Sequence, residues 1–380
     1  MKTLRDIPNL EGVKVLVRAD FNVPVENGVV VDDFRIRAAL PTVDFLLSKG
    51  AVVILMSHLE DNDGENLTLQ PIADRLQKLE RPVTFIKDYA KAYEIINTPA
   101  SQGSCYLLEN LRFFEGEKKN DKKFAQQLAS LADIYVNDAF PVCHREHASV
   151  VGVPQYLPSY AGLQLEKEVA NLSLAFKPSH PFLFILGGAK FETKLPLLAK
   201  FIEIADEIFV GGALAHDLFK VKGYEIGQSI VSKTDVDLSA FIKSPKLLMP
   251  IDVVNQEGVS KAADSLEATD QIMDSGPKTV SMLKEKIESA KFILWNGPLG
   301  KYEGGFKQPT LEVAKMIGEA TKKSLGKVIS IVGGGDTIAA TEELKNQSDF
   351  TFVSTGGGAM LDFLAKGILP GIQALEDSKA

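Results

Sequence analysis

The stretch VISIVGGGDTIAA, residues 328–340, decides the fold. An apolar run broken by one serine ends in three glycines, an Asp and a Thr, and a helix-compatible stretch follows. One glycine cluster alone also serves a plain turn. The second half of the chain repeats the arrangement. FLFILGGAK contains Gly187-Gly188, EIFVGGALA contains Gly211-Gly212, and FTFVSTGGGAM contains Gly356-Gly357-Gly358. Each apolar run reads as a buried parallel strand. The stretches 193–201, 213–222, 337–345 and 359–366 read as the helices that follow. Ligands of open α/β sheets bind beyond the carboxyl ends of the strands. Glycines there let backbone N–H groups approach a phosphate, and helix N-termini add partial positive charge. The first expectation is therefore a polyphosphate cradle for a nucleotide.

A chain of 380 residues suits two domains. Its 45% hydrophobic and 24% charged content is ordinary for a soluble globular protein. A net charge of −8 argues against a general nucleic-acid binder. No apolar run approaches the roughly 18 residues needed to span a membrane. The start, MKTLRDIPNLEG, lacks a signal-peptide core. Two cysteines make no disulfide framework. These features predict a cytoplasmic protein without nucleic-acid or membrane partners. Strand-like and helix-like segments alternate throughout, which predicts α/β domains with parallel sheets. The stretch 154–181 opens and closes near proline and carries a helical pattern between, as a connector would.

The halves differ in their cations. All eight arginines lie at or before Arg145, and the second half uses lysine and two histidines instead. Several arginines fall at strand ends. VKVLVRADFNVP carries Arg18, Asp20 and Asn22, and VVILMSHLE ends near His58. CYLLENLRFF carries Arg112, and IYVNDAFPVCHREH ends with His144 and Arg145. Arg35 precedes a helix that Pro41 is expected to open. Arginine forks bind carboxylate or phosphate bidentately, so a small-anion site is expected here. Singly, each residue also suits a surface ion pair or a turn; their joint placement favours a site. Zinc at Cys105, Cys143, His144 and His147 fits poorly, because the spacing is not that of a structural site.

An anion pocket on one domain and a nucleotide cradle on another form a layout for phosphoryl transfer, with closure excluding water. No Walker A or protein-kinase signature is present, so glycine loops and lysines must hold the donor. Lys190 and Lys194 in GGAKFETK lie one helical turn apart and suit this task. Asp336 is the expected Mg²⁺ carboxylate, and Thr337 would cap its helix or touch a phosphate. A nicotinamide dehydrogenase ranks low, because the G-x-G-x-x-G fingerprint with its distal acid is missing.

VRADFNVP, LLENLRFFEGE, ADIYVNDAF, HREHAS, GGAKFETK, YEIGQSIV, GPKTV, WNGPLG, GGGDT and STGGGA all resemble phosphoglycerate kinase, in the family's order and across essentially the whole chain. The resemblance implies two doubly wound, parallel-sheet, Rossmann-like α/β domains joined by a helix and hinge. The glycerate-binding domain would span 1–165, the interdomain helix 166–178 and the nucleotide domain 179–367, with the tail 368–380 returning to the first domain. It implies a glycolytic, monomeric kinase that moves a phosphoryl group between 1,3-bisphosphoglycerate and ADP, giving 3-phosphoglycerate and ATP, with Mg²⁺. The glycerate site would use Arg18, Asp20, Phe21, Asn22, Arg35, His58, Arg112, His144 and Arg145. The nucleotide site would use Gly188, Ala189, Lys190, Lys194, Gly211, Gly212, Asn296, Glu303, Gly334, Gly335, Asp336 and Thr337. Arg35, Lys190, Lys194, Gly335 and Gly358 would act on the moving phosphoryl group, and Glu303 would reach the ribose.

Three departures from the family pattern stand out. Asp61, in Ser57-His58-Leu59-Glu60-Asp61-Asn62, replaces a phosphate-binding arginine. Loss of one charged hydrogen bond predicts glycerate binding weakened by about 10- to 100-fold. Pro141 replaces a glycine and removes a backbone donor, and Ala213 adds a methyl group near the expected adenine pocket. These changes also admit a catalytically weak, nucleotide-binding relative as an alternative.

Overall fold

The computed structural model describes residues 1–61, 63–98, 103–189, 191–232 and 238–378. Two compact units emerge: Met1–Ala170 with Lys366–Ala380, and Asn171–Ala365. Each is built on a six-stranded parallel sheet. In the first unit the strands lie in the order Thr84–Ile86, Cys105–Leu108, Val52–Met56, Lys14–Arg18, Ile134–Asn137 and Ser159–Ala161. The second orders Leu247–Leu248, Glu207–Val210, Phe182–Leu186, Phe292–Asn296, Ile329–Gly333 and Phe352–Val353. The inner strands are near-continuous apolar runs, buried along their length, as helices on both faces require.

Both sheets reverse direction beside their first strand. The chain leaves Lys14–Arg18 for Val52–Met56 on one side and later returns to Ile134–Asn137 on the other. Phe182–Leu186 is likewise flanked by Glu207–Val210 and, much later, Phe292–Asn296. Such a reversal opens a crevice at the strands' carboxyl ends, because the flanking connections diverge there.

Some local readings need correction. Pro41 does not open a helix; it sits inside the helix Phe34–Ser48, which begins seven residues earlier. Its ring removes only the amide that would serve the Arg37 carbonyl, and Arg37 is itself exposed to solvent. The connector helix runs over Leu163–Ser173, followed by a short turn Leu174–Phe176. It begins earlier than expected because Asp138 Oδ1 accepts hydrogen bonds from the Gln164 and Leu165 amides at 2.8 and 3.2 Å. A three-stranded antiparallel sheet, with Asp252–Asn255 between Ser260–Ala262 and Ile272–Ser275, was not foreseen. Its strands are short and rich in Asp, Ser and Lys, and they are held by a small apolar cluster around Phe219, Val253, Leu266 and Ile272. Among the described residues, no helix is long and apolar enough to cross a membrane.

The terminal helix Pro370–Asp377 belongs to the first unit. The Gly371 amide donates to the Cys143 carbonyl at 2.8 Å. A Cβ at Gly371 would meet Val150 Cγ1 at 2.7 Å and Cys143 Cα at 3.0 Å. Gly371→Ala should therefore lower stability by about 1–3 kcal/mol through overpacking. Denaturant unfolding checks this, with faster proteolysis of the tail as the companion readout.

Candidate active site

In the first unit, Arg18 closes the strand Lys14–Arg18 and is fully buried. Its Nε donates to Ser149 Oγ at 3.0 Å, and Ser149 Oγ in turn donates to the buried Glu117 at 2.6 Å. Its Nη2 lies 3.1 Å from His58 Nδ1. The buried carboxylate of Glu117 thus compensates a buried guanidinium through one hydroxyl, which a charge at this depth requires. The Phe21 amide donates to Ser57 Oγ at 2.9 Å, joining the ends of two neighbouring strands. Arg35 pairs with Asp20 at 3.1 Å and donates to the Asn22 carbonyl at 3.0 Å. Arg112 Nη1 lies 3.4 Å from His147 Nδ1, and Arg145 Nε donates to His144 Nε2 at 3.4 Å.

Histidine basicity reports the field of this cluster. Burial, then the charges of Arg18, Arg112, Arg145 and Arg35, hold His58 well below its ordinary value. Burial, then the charges of Arg112, Arg145, Arg18 and Lys118, push His147 down to about 3. Four guanidiniums around one neutral imidazole make a strongly electropositive pocket, suited to an anion with several negative oxygens. All nine residues expected at this site gather beyond the carboxyl ends of the first sheet or in contact with residues that do. His147, Ser149 and Glu117 were missed as members; His147 was legible only as the partner of a His-x-x-His spacing.

The second unit presents backbone in the same place. The Gly187 amide donates to the Asn296 carbonyl at 2.9 Å, and the Gly188 amide to the Pro298 carbonyl at 2.9 Å. A Cβ on Gly187 would stand 2.1 Å from Pro298 O, and one on Gly297 would stand 2.4 Å from Gly187 O. The loops after the two central strands therefore touch backbone to backbone, which only glycine permits. Lys194 Nζ donates to the Gly187 carbonyl and lies where side chains on Gly188 or Gly297 would sit, 2.7 Å from each added Cβ. Burial pulls the Lys194 ammonium down to about 8, and Asp336 opposes the shift. Lys190 lies outside the described residues.

Gly211 and Gly212 follow the strand Glu207–Val210; the Gly212 amide donates to the Leu299 carbonyl at 3.2 Å. Asn296 ends its strand, and the next amide, Gly297, donates to Thr337 Oγ1 at 2.9 Å. Gly334 takes φ of +104° and turns the chain into the helix Gly335–Glu343, with Asp336 in its first turn. Burial, then the charge of Glu303, raises the Asp336 carboxyl above its ordinary value. Among the described residues, a Cβ at Gly335 or Gly358 would meet nothing within 4 Å. Ala189 and Glu303 are exposed beside this group.

The family model for phosphoglycerate kinase matches residues 4–366. The chain belongs to the phosphoglycerate kinase family. It is 42% identical to the phosphoglycerate kinase of Dictyoglomus turgidum, with 99% of each chain covered. It is 41% identical to that of Thermosipho africanus, covering 99% of this chain and 98% of the relative. The solved phosphoglycerate kinase from Coxiella burnetii superposes with a TM-score of 0.84 at 34% identity, covering 99% of both chains. The enzyme from Pyrococcus horikoshii gives 0.85 at 31%, covering 100% of this chain and 99% of the other. This kinase is accordingly a phosphotransferase with a carboxyl group as acceptor.

The departures from the family pattern take definite local forms. Asp61 turns into its own loop, where Oδ1 accepts the Asp63 and Glu65 amides at 3.0 and 2.8 Å. Pro141 sits at the second position of the short turn Phe140–Val142. Ala213 caps the helix Leu214–Val221.

Asp138, beside Arg18, is buried, and its Oδ2 has no hydrogen-bond partner among the described residues. Burial pushes its carboxyl from 3.8 to about 7 despite hydrogen bonds from Thr42, Leu165 and Gln164. The folded chain keeps this proton where the unfolded chain has released it. The group's contribution to stability is thus present below about pH 4 and declines as pH rises toward about 7. Urea unfolding across that window should show a decline in the native chain that Asp138→Asn lacks.

Proposed function

We propose that this kinase transfers a phosphoryl group reversibly between 1,3-bisphosphoglycerate and ADP, giving 3-phosphoglycerate and ATP, with the glycerate on the arginine cluster and the nucleotide on the glycine loops. One observation carries this division. The same topological position holds guanidiniums in one unit and bare amides with Lys194 in the other. Arg18, Arg112, Arg145 and His58 suit the negative oxygens of the glycerate ligand, with Asp20 and Asn22 orienting it. Phe21 and His144 hold the surrounding backbone and Arg145. Gly188, Ala189, Gly211, Gly212 and Asn296 line the nucleotide position, and Glu303 meets the ribose.

The acceptor oxygen is already ionised near neutral pH, so the reaction needs little general-base help. It needs alignment and fixed positive charge on the moving group. Lys194 and Arg35 supply charge, and the family resemblance adds Lys190 to them. The helix N-termini at Gly335 and Gly358 add oriented amides. Water must be excluded during the transfer, and the hinge that the family resemblance implies would serve that end.

Asp336 fits Mg²⁺: a half-buried carboxylate, strained by burial and by Glu303, would be relieved by a dication. Among the described residues no three His, Cys, Asp or Glu side chains group to hold a metal, so phosphate oxygens and water would complete the shell. When bound, Mg²⁺ would neutralise phosphate charge. Thr337 remains with the Gly297 amide and holds that loop. Both thiols are free and buried, which suits a reducing cytoplasm, and a monomer carries all the assigned residues.

Lys194→Ala should lower kcat by about 100-fold or more while changing ADP affinity little. Steady-state kinetics with calorimetric ADP binding checks this. Because Lys194 loses its proton near 8, kcat/KM for ATP should fall as pH rises through about 8. Lys194→Arg should move that limb upward; a profile that Arg leaves unchanged assigns the limb elsewhere.

A further inference from the structure

The carboxylate of Glu60 lies inside the reach of the arginine cluster. Its Oε1 is 3.3 Å from Arg112 Nε and 3.1 Å from Lys118 Nζ. The Arg112 contact is one of charge only. Arg112 Nε is buried and has no hydrogen-bond acceptor among the described residues. The Arg112 side chain is 1% exposed, whereas that of Glu60 is 21% exposed. A buried guanidinium thus keeps an unused donor, and a less buried carboxylate stands against it.

The loop fixes Glu60 in this place from several directions. Its amide donates to Asn22 Oδ1 at 2.9 Å. Glu60 bridges to Asn66 in antiparallel fashion, and Asn66 Nδ2 donates to the Arg112 carbonyl at 3.2 Å. The Asp61 amide donates to the Glu65 carbonyl at 2.9 Å, and the Leu67 amide to the Leu59 carbonyl at 3.1 Å. With Asp61 Oδ1 accepting two further amides, the turn is closed behind Glu60. Glu60 belongs to neither set of expected site residues, yet its backbone and its side chain each engage one of them, Asn22 and Arg112.

We propose that Glu60 is an affinity-setting carboxylate: it shields Arg112 and Lys118 electrostatically in the free enzyme, and an anionic oxygen of the glycerate substrate must displace it or bind against its charge. This rests on the assignment of Arg112 to the glycerate site. A like charge in the pocket weakens every anion there and speeds its release. It acts on the glycerate and not on the nucleotide, whose residues belong to the other unit.

The test compares Glu60→Gln, Glu60→Ala, Arg112→Ala and the double variant Glu60→Gln with Arg112→Ala. Steady-state kinetics are paired with calorimetric binding of 3-phosphoglycerate. Glu60→Gln should lower KM and Kd for 3-phosphoglycerate by about 3- to 5-fold, the size expected for removing one partly screened charge pair. KM for ATP should not follow. Glu60→Ala should behave alike, because the charge and not the amide matters. In the Arg112→Ala background, Glu60→Gln should gain much less. An unchanged or raised Kd in both Glu60 variants, with Arg112→Ala raising Kd, overturns the role of Glu60 and leaves the site standing. An Arg112→Ala variant with native Kd overturns the site assignment itself.

Discussion

Backbone against backbone is the constraint on which the second unit rests. Gly187 and Gly297 end the first turn after two adjacent central strands, and no side chain fits where they meet. Their contact brings the carbonyl of Gly187 to the ammonium of Lys194. An ammonium held by a carbonyl and little water is a poor acid-keeper but a strong electrostatic partner, because low dielectric strengthens its field. A larger residue at either glycine would separate the loops and move that charge. The helix starts at Gly335 and Gly358 add weaker, fixed dipoles to the same surface.

The first unit solves the opposite problem. It must keep four guanidiniums close together without a ligand. Glu117, acting through Ser149, offsets part of that repulsion behind Arg18. Asp20 does so at Arg35 and Glu60 at Arg112. Burial and the surrounding positive charges keep His58 and His147 neutral. Such a pocket is pre-arranged for anions, and its reorganisation is settled during folding instead of at each turnover.

Departures from the family pattern show how far side-chain identity can mislead. Asp61 reads as an acid facing an anion site, yet it is consumed by two amides of its own loop. The acid that does face Arg112 is its neighbour Glu60. The amides of the turn engage the Asp61 carboxylate, and the neighbouring Glu60 carboxylate stands toward Arg112.

The sequence by itself determined the α/β class, the parallel strands and the arginine-rich and glycine-rich strand ends on which the two proposed anion sites rest. Buried strands must be apolar, and phosphate cradles must be glycine-rich, so both leave local marks. Arg18, His58, Arg112 and Lys194 were legible because motifs place them at strand ends or helix starts. Pro41 misled because an exposed proline costs a helix only one hydrogen bond, at a position open to solvent. Tertiary structure alone decided that Glu117 lies behind Arg18, that Asp138 caps the connector helix, and that Gly297 closes on Gly187. These partners are separated by tens to more than a hundred residues. Only the folding of distant strands into one sheet brings them within reach, and no local pattern records which of many carboxylates or glycines will arrive.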